Sequence, residues 1–288
     1  MIVREIEPME IGLMFWATQD AQTVLRTVRG LDLHVGQLGV PPELDCDRAL
    51  NEWKNGLKEF QVIATSAVCS YIGEEYSDLE TVHKTVGFTT EGLRAERIAR
   101  TKRVSDFAHD LSIPAVSCHI GFIPSDPGEI LYKDLCDLTR SLCDHCGKNG
   151  QNFVLETGQE SAAVLLSFIG DVDRENLKVN FDPANMIMYQ SGDPLNALKV
   201  LSPHVISVHC KDAHFPAKGT GLLGSECVLG DGEVDIPAFL EELREAGYKG
   251  ALSIEREEPD AAKRLADIKT GISRLKQWKV DLGFDASM

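Results

Sequence analysis

Short apolar runs alternate with longer, charged stretches along this chain. Eight runs are rich in Val, Ile, Leu or Phe, and each is short enough to form a strand that is buried on both faces. They are Ile11–Trp16, Leu31–Leu38, Gln61–Val68, Ile113–Ile120, Asn152–Glu156, Leu177–Asp182, Val205–Cys210 and Ala251–Glu255. The pattern therefore predicts eight buried strands.

The stretches between these runs carry apolar residues at helical spacing. They are Glu43–Phe60, Leu93–Leu111, Glu129–Lys148, Glu160–Ile169, Pro194–Leu201, Ile236–Ala246 and Asp260–Trp278, with a shorter and weaker one at Ala21–Arg29. Strand and helix alternating eight times predict parallel pairing and a single-domain (β/α)8 barrel over residues 1–288. The competing fold, an open doubly wound sheet, usually has a glycine-rich turn after its first strand, and none follows Ile11–Trp16.

Two of the predicted strand-to-helix connections are long. Cys69–Thr90 follows the third strand and Asp212–Val234 follows the seventh. Both lie on the face where barrels of this kind keep their chemistry. The second is rich in glycine, which favours a lid or a substrate rim, with a merely solvated loop as the alternative.

Composition and charge narrow the classes of function. The chain is 43% hydrophobic and 26% charged, and it has no apolar run of the roughly 18 residues that a membrane span needs. Residues 1–10 have three glutamates and no apolar core, so we expect no signal peptide, and the eight scattered cysteines favour reduced thiols in the cytoplasm. The formal charge of −16 argues against a nucleic-acid partner and favours neutral or metal-bridged substrates.

Four residues at the ends of predicted strands five to eight can bind a metal ion. Glu156, Asp182, His209 and Glu255 each follow a run of apolar residues. An unpaired charge there is costly to desolvate, and a cation offsets that cost. Any one of them alone would more often be a polar strand end satisfied by loop amides, but four together predict a metal site. Three carboxylates and one imidazole favour Mn²⁺, Mg²⁺ or Co²⁺, with Zn²⁺ as a further candidate.

Several motifs resemble a known family. The runs FVLETGQE, VNFDPANM, SVHCKD, LGDGEVD and GALSIEREE, with SCHIGFIP earlier, resemble the xylose isomerase-like superfamily of sugar isomerases and epimerases. The resemblance covers the whole predicted barrel and implies a metal-dependent enzyme for a small sugar or polyol-derived ketone. Many such relatives are homodimers or homotetramers. In the ketose 3-epimerase branch, the residues matching Glu156 and Glu255 bind the metal and form the acid/base pair, and those matching Asp182 and His209 complete the coordination.

The two predicted bases also make chemical sense without the family. Glu156 and Glu255, ending strands five and eight, would stand on separate sides of a small barrel. One can remove a proton beside a carbonyl while the other returns one to the opposite face, with the metal stabilising the enediolate. Loss of a β-hydroxyl after the first step would make the site an inosose-type dehydratase instead. The branch has a histidine three residues after the aspartate; here it is Asn185, which puts simple 3-epimerase activity in question but leaves Asn185 a candidate substrate-binding residue.

Further candidates for substrate binding lie near the same face. His119 ends predicted strand four, where relatives line the pocket, although a core histidine is the alternative. Lys211 lies two residues after the histidine ligand and so shares its face, where it would bind substrate or pair with an acid. Arg256 would contact substrate or point outward. His34 and Trp16, ending predicted strands two and one, would form the far wall of the pocket or pack in the core.

Two rival functions stay open at this point. The related apurinic endonucleases resemble this chain at the four ligand positions, but the further ligands that they need look incomplete, because Asn185 replaces one histidine and Asp212 and His214 follow His209 too closely. A non-catalytic sugar or metal binder is the alternative from another class.

Two short motifs carry less weight than their letters suggest. Gly219–Gly224 matches the dinucleotide fingerprint, yet it leads into another loop and not into a helix. Cys143 and Cys146 have the spacing of half a zinc site, but no second cysteine pair exists, and Cys146 continues an apolar helical stripe. We therefore expect neither a dinucleotide nor a structural zinc.

Overall fold

Eight parallel strands close into one barrel in the computed structural model, which describes residues 5–284. A two-stranded antiparallel hairpin lies outside the barrel, between its seventh and eighth strands. The barrel strands are β1 (Ile11–Trp16), β2 (Val35–Val40), β3 (Ile63–Cys69), β4 (Ala115–Cys118), β5 (Asn152–Glu156), β6 (Leu177–Phe181), β7 (Val205–Cys210) and β10 (Leu252–Ile254); the hairpin is β8 (Asp212–His214) and β9 (Ser225–Cys227). The predicted (β/α)8 barrel is confirmed.

Ten helices accompany the strands in the described part of the chain. They are α1 (Ala21–Gly30), α2 (Cys46–Phe60), α3 (Leu79–Thr85), α4 (Glu91–Asp110), α5 (Ile130–Lys148), α6 (Ala162–Val172), α7 (Pro183–Tyr189), α8 (Pro194–Leu201), α9 (Ile236–Glu245) and α10 (Ala261–Asp281). Most begin behind an aspartate whose carboxylate accepts a hydrogen bond from a backbone N–H of the first turn, the standard way to satisfy a helix start. Within residues 5–284 no helix is long and apolar enough to cross a membrane.

The second strand begins later than the apolar pattern predicts. The backbone N–H of Leu31 closes α1 by donating to Val28, and Asp32 then takes a left-handed conformation with φ of 59°. The chain therefore turns before Val35, where β2 starts. His34 consequently precedes the strand and lies at the amino end of the barrel, where its Nε2 is 2.6 Å from Arg29. The prediction that His34 ends β2 and lines the pocket is wrong.

The two long connections contain regular structure that the sequence did not predict. The segment after β3 includes α3, which is capped by Asp78, and the segment after β7 includes the β8–β9 hairpin. The two segments meet, because the backbone N–H of Leu79 donates to the carbonyl of Gly221 at 3.2 Å. Both segments therefore border the carboxyl ends of the strands, in the position expected for a rim.

The cysteine pair lies in the hydrophobic core, and the glycine-rich motif lies in a loop. Cys143 and Cys146 are buried on α5 within the main hydrophobic core, as expected for core residues. Gly219–Gly224 lies between β8 and β9 and precedes no helix.

Candidate metal centre

The barrel brings the four predicted ligands together at the carboxyl ends of consecutive strands. Glu156 ends β5, Asp182 follows β6, His209 lies near the end of β7, and Glu255 follows β10. One ligand atom from each residue lies within 4.8 Å of the others, and all four residues are buried. Parallel strands with matched register therefore convert four distant sequence positions into one cluster.

One ring nitrogen stands at the centre of this cluster. His209 Nδ1 lies 3.3 Å from Glu156 Oε1, 3.4 Å from Asp182 Oδ2 and 3.1 Å from Glu255 Oε2. A nitrogen that carries at most one proton cannot satisfy three carboxylates. Asp182 Oδ2 is buried and accepts no hydrogen bond from the described residues. A divalent cation among these four atoms would satisfy them all, so the donor set fits a metal ion.

The two carboxylate oxygens of Asp182 have different roles. Oδ1 accepts from the backbone N–H of Asn185 at 2.9 Å and so caps α7, whereas Oδ2 faces the cluster. The hydroxyl of Thr157 makes two hydrogen bonds to the backbone of the same residue. It accepts from the N–H of Asp182 at 2.8 Å and donates to the carbonyl of Asp182 at 3.0 Å. These bonds fix the position of Asp182.

Neighbouring charges determine the protonation of the cluster. Burial raises the pKa of Glu255, but His209 and Lys211 hold it well below its usual value. Burial likewise opposes the charge of Glu156, yet the imidazoles of His119 and His209 lower its pKa. Burial would lower the pKa of His209, and the surrounding carboxylates instead raise it well above the ordinary value. The raised pKa favours a protonated His209, whose positive charge takes the place of the charge that a metal ion would bring.

Lys211 is the cation next to the cluster. Its Nζ donates to Glu255 Oε2 at 3.0 Å and to Glu257 Oε2 at 3.2 Å, and it lies 3.9 Å from both Asp182 and Glu226. The prediction that Lys211 shares a face with the histidine ligand and pairs with a nearby acid agrees with this geometry. Glu226 and Glu257 were not foreseen, because Glu226 lies on the β8–β9 hairpin and Glu257 in the segment after β10, and their approach to Lys211 depends on how these two connections fold.

Two more predicted residues contact Glu156. Asn185 Nδ2 donates to Glu156 Oε1 at 3.0 Å, and His119 Nε2 lies 3.6 Å from the same oxygen. The imidazole of His119 also packs against the ring of Tyr76, with 6.0 Å between ring centroids. Both His119 and Asn185 line a cavity of about 360 Å³. Both residues therefore lie at the pocket, and their role in substrate binding stays a prediction.

The same cavity borders both glutamates but not Arg256. Its wall includes Glu156, Glu255 and, as expected, Trp16. The guanidinium of Arg256 instead binds Glu226 at 2.8 Å and Asp267 at 3.0 Å, which ties β9 and α10 to the end of β10. The expectation of substrate contact is corrected here, because these carboxylates hold the side chain outside the cavity.

The sequence did not predict a buried series of hydrogen-bonded side-chain amides beneath the cluster. Gln37 on β2 donates to Asn180 Oδ1 at 3.1 Å, and Asn180 Nδ2 lies 3.2 Å from His209 Nε2. Both amides are fully buried inside the barrel. A polar residue within the otherwise apolar VGQLGV segment was the signal that could have located it.

Comparison with known proteins assigns the chain to a family. Residues 28–278 match the family described as Xylose isomerase-like TIM barrel. The crystal structure of a xylose isomerase domain protein from Planctomyces limnophilus is similar at 35% identity, covering 96% of this chain and 99% of that one, with a TM-score of 0.89.

Two more distant structures share the fold. L-Ribulose 3-epimerase is 14% identical with a TM-score of 0.71, covering 96% of each chain. The probable 3-DHS dehydratase AsbF from Bacillus anthracis is 15% identical with a TM-score of 0.65, covering 92% of this chain and 99% of that one. The chain spans about half the length of the curated relatives that it matches. With its closed parallel barrel and a family match over nearly all of it, this chain belongs to the xylose isomerase-like TIM barrel family.

Proposed function

We propose that this protein is a divalent-metal-dependent isomerase or epimerase that acts on a sugar or a polyol-derived ketone. One observation carries the proposal. Glu156 and Glu255 each turn one oxygen toward His209 Nδ1, and among residues 5–284 the other oxygen of each, Glu156 Oε2 and Glu255 Oε1, has no hydrogen-bond partner. Both residues line the same cavity. In each glutamate, one oxygen therefore faces the cluster, and the other is free to accept a proton from a substrate.

The side chains of this chain would share the work of a proton transfer. Glu156 would take a proton from the carbon beside a substrate carbonyl, and Glu255 would return one to the opposite face. His119, Asn185 and Lys211 would orient the hydroxyl groups. A divalent ion held by Glu156, Asp182, His209 and Glu255 would polarise the carbonyl and make the adjacent C–H bond more acidic. Similarity to L-ribulose 3-epimerase supports this class of reaction.

A dehydratase is the second candidate. Removal of the same proton followed by departure of a β-hydroxyl would use the same two glutamates. The observation in its favour is Asn185, which stands where ketose 3-epimerases have a histidine and which hydrogen-bonds to Glu156. A probable dehydratase among the proteins with this fold supports it as well.

The test is deuterium exchange in D₂O. Metal-free protein would be incubated with and without Mn²⁺ and with ketoses, inososes and keto-glycosides, and proton NMR would follow loss of the signal beside the carbonyl. We expect Mn²⁺-dependent exchange with at least one class of compound. A new stereoisomer would identify an epimerase, whereas loss of water would identify a dehydratase.

Variants assign the exchange to the two glutamates. Glu156→Gln and Glu255→Gln should each slow exchange by about 10²- to 10⁴-fold, the usual contribution of an acid/base group. Glu245→Gln, on the exposed end of α9, is the control and should exchange like the unchanged protein. Full activity in either site variant, or no exchange with any compound, would reject the proposed function.

A further inference from the structure

The cavity beside the metal centre is rich in negative charge. Its wall includes the carboxyl groups of Glu74, Glu156, Glu255 and Glu257, and no arginine among the described residues contributes to it. Three carboxylate ligands also exceed the charge of one divalent ion by one unit. An anionic group on a substrate would therefore meet a negative surface even after a metal ion has bound.

Lys211, the one lysine that residues 5–284 contribute to the cavity wall, does not reverse this balance. Lys211 is buried, with 4% of its side chain exposed, and it already donates to Glu255 at 3.0 Å and Glu257 at 3.2 Å. Two more carboxylates, of Asp182 and Glu226, lie 3.9 Å from its Nζ. A phosphate could reach this ammonium only by displacing carboxylates that already neutralise it.

Another part of the cavity wall is apolar and contains an exposed indole. Trp16 is 41% exposed at the end of β1 and borders the cavity with Met14, Met188 and Leu223. Trp16 pairs with Gly39 on β2, and a Cβ atom at Gly39 would come within 2.6 Å of the indole and 2.8 Å of the Met14 methyl group. The absence of a side chain at Gly39 thus lets the ring lie against the backbone of β2.

We propose that the substrate of this site is an uncharged polyhydroxy ketone, free of phosphate and carboxylate groups, whose C–H face packs on Trp16. The carbonyl and hydroxyl groups then face Glu156 and Glu255. The apolar wall supplies binding through burial of C–H surface, which needs no counter-charge. The inference rests on the proposed function and specifies its substrate class.

Paired compounds test the charge requirement. D-Fructose and 2-keto-myo-inositol would each be compared with a phosphate monoester of the same compound, using the Mn²⁺-loaded protein, with deuterium exchange and calorimetric binding as separate measurements. We expect the uncharged members to exchange about 100-fold faster per unit concentration and to bind more tightly. Equal or faster exchange of the phosphate esters would overturn the inference and leave the proposed function standing. If nothing exchanged and nothing bound, both would fall.

Two variants test the two walls. Glu257→Gln removes a carboxylate from Lys211, so the discrimination against phosphate esters should shrink about tenfold. Trp16→Ala should raise KM for the uncharged compounds about tenfold with a smaller effect on kcat. Phe215→Ala is the matched control, since this aromatic ring is 48% exposed but does not border the cavity. If Trp16→Ala behaved like the control, or if Glu257→Gln left the discrimination unchanged, the corresponding wall would have no part in selection.

Discussion

Asn185 Nδ2 donates a hydrogen bond to Glu156 Oε1 at 3.0 Å and a second, at 3.3 Å, to the carbonyl of Thr157. Both partners are acceptors, so the orientation of the amide is determined: its NH₂ group faces Glu156, and its carbonyl oxygen is left for other contacts. The oxygen that Asn185 holds is the one 3.3 Å from His209 Nδ1. Asn185 therefore fixes the glutamate oxygen that faces the cluster and leaves the other one free.

Removal of this amide should weaken metal binding. Asn185→Ala leaves Glu156 Oε1 without its donor, and loss of such an outer partner usually costs about 10- to 100-fold in metal affinity. Titration calorimetry with Mn²⁺ measures the effect without any substrate. Asn196→Ala is a matched control, because Asn196 occupies the same place in a second DPxN motif at the start of α8 and is exposed. Unchanged affinity in Asn185→Ala would show that the hydrogen bond has no influence on the ligand.

Metal binding should also stabilise the fold. Because the ion would bind only the assembled cluster, Mn²⁺ at a hundred times its Kd adds about 2.7 kcal/mol to the free energy of unfolding. For a chain of this size we expect the melting temperature to rise by about 5 °C relative to protein in EDTA, as measured by differential scanning calorimetry.

Asp182→Asn should remove most of this rise without loss of the helix start. Asparagine caps helices about as well as aspartate, so α7 should keep its cap while the cluster loses a carboxylate. Asp193→Asn makes the same change at the cap of α8, away from the cluster, and should retain the full response to Mn²⁺. An equal response in the two variants would contradict the assignment of Asp182 as a ligand.

The pH dependence of stability should reveal Glu160. This buried carboxyl group has no hydrogen-bond partner among the described residues for either oxygen, and burial raises its pKa from 4.5 to about 8. Between these values the folded protein keeps a proton that the unfolded chain has lost, so its contribution to stability falls as pH rises, by about 1.4 kcal/mol per pH unit.

Glu160→Gln removes that titration. Urea unfolding from pH 5 to pH 8 should show a flatter stability profile in the variant, with a gain over the unchanged protein that grows toward pH 8. Glu245→Gln, on an exposed site, should follow the unchanged protein. Parallel profiles for all three proteins would mean that Glu160 ionises normally in the folded state.

Substitution by alanine should have opposite effects on stability at two glycines. The carboxylate of Asp212 accepts from the backbone N–H of Gly232 at 2.9 Å, and a Cβ atom at Gly232 would come within 2.2 Å of Asp212 Oδ1. Gly232→Ala should therefore destabilise the protein by about 2 kcal/mol. Gly170→Ala meets no atom within 4 Å in α6 and should stabilise by up to about 1 kcal/mol. Urea unfolding measures both, and equal stabilities would reject the close packing at Gly232.

The clustering of Glu156, Asp182, His209 and Glu255 could be predicted from the chain because the barrel follows a simple rule. Apolar runs identify the strands, parallel pairing aligns their carboxyl ends, and a polar residue at each end must then meet its neighbours. The same rule failed for His34, since Leu31 and Asp32 end a helix where the apolar pattern suggested a strand. It was also silent on Glu226 and Glu257, whose contacts with Lys211 depend on the fold of a connecting segment.

The two DPxN motifs show which features the sequence determines and which features the tertiary structure determines. The geometry of each motif is local and follows from its sequence: Asp182 and Asp193 each cap a helix, and the asparagine three residues later donates its backbone N–H to the aspartate at 2.9 Å and 2.8 Å. The apolar pattern, however, predicted only the second of these helices, Pro194–Leu201. Only the tertiary structure decides that Asn185 is buried against Glu156 while Asn196 faces solvent. The reason is that side-chain surroundings come from the packing of distant segments, and α7 starts at the carboxyl end of β6, beside the end of β5, whereas α8 starts one helix further along the chain.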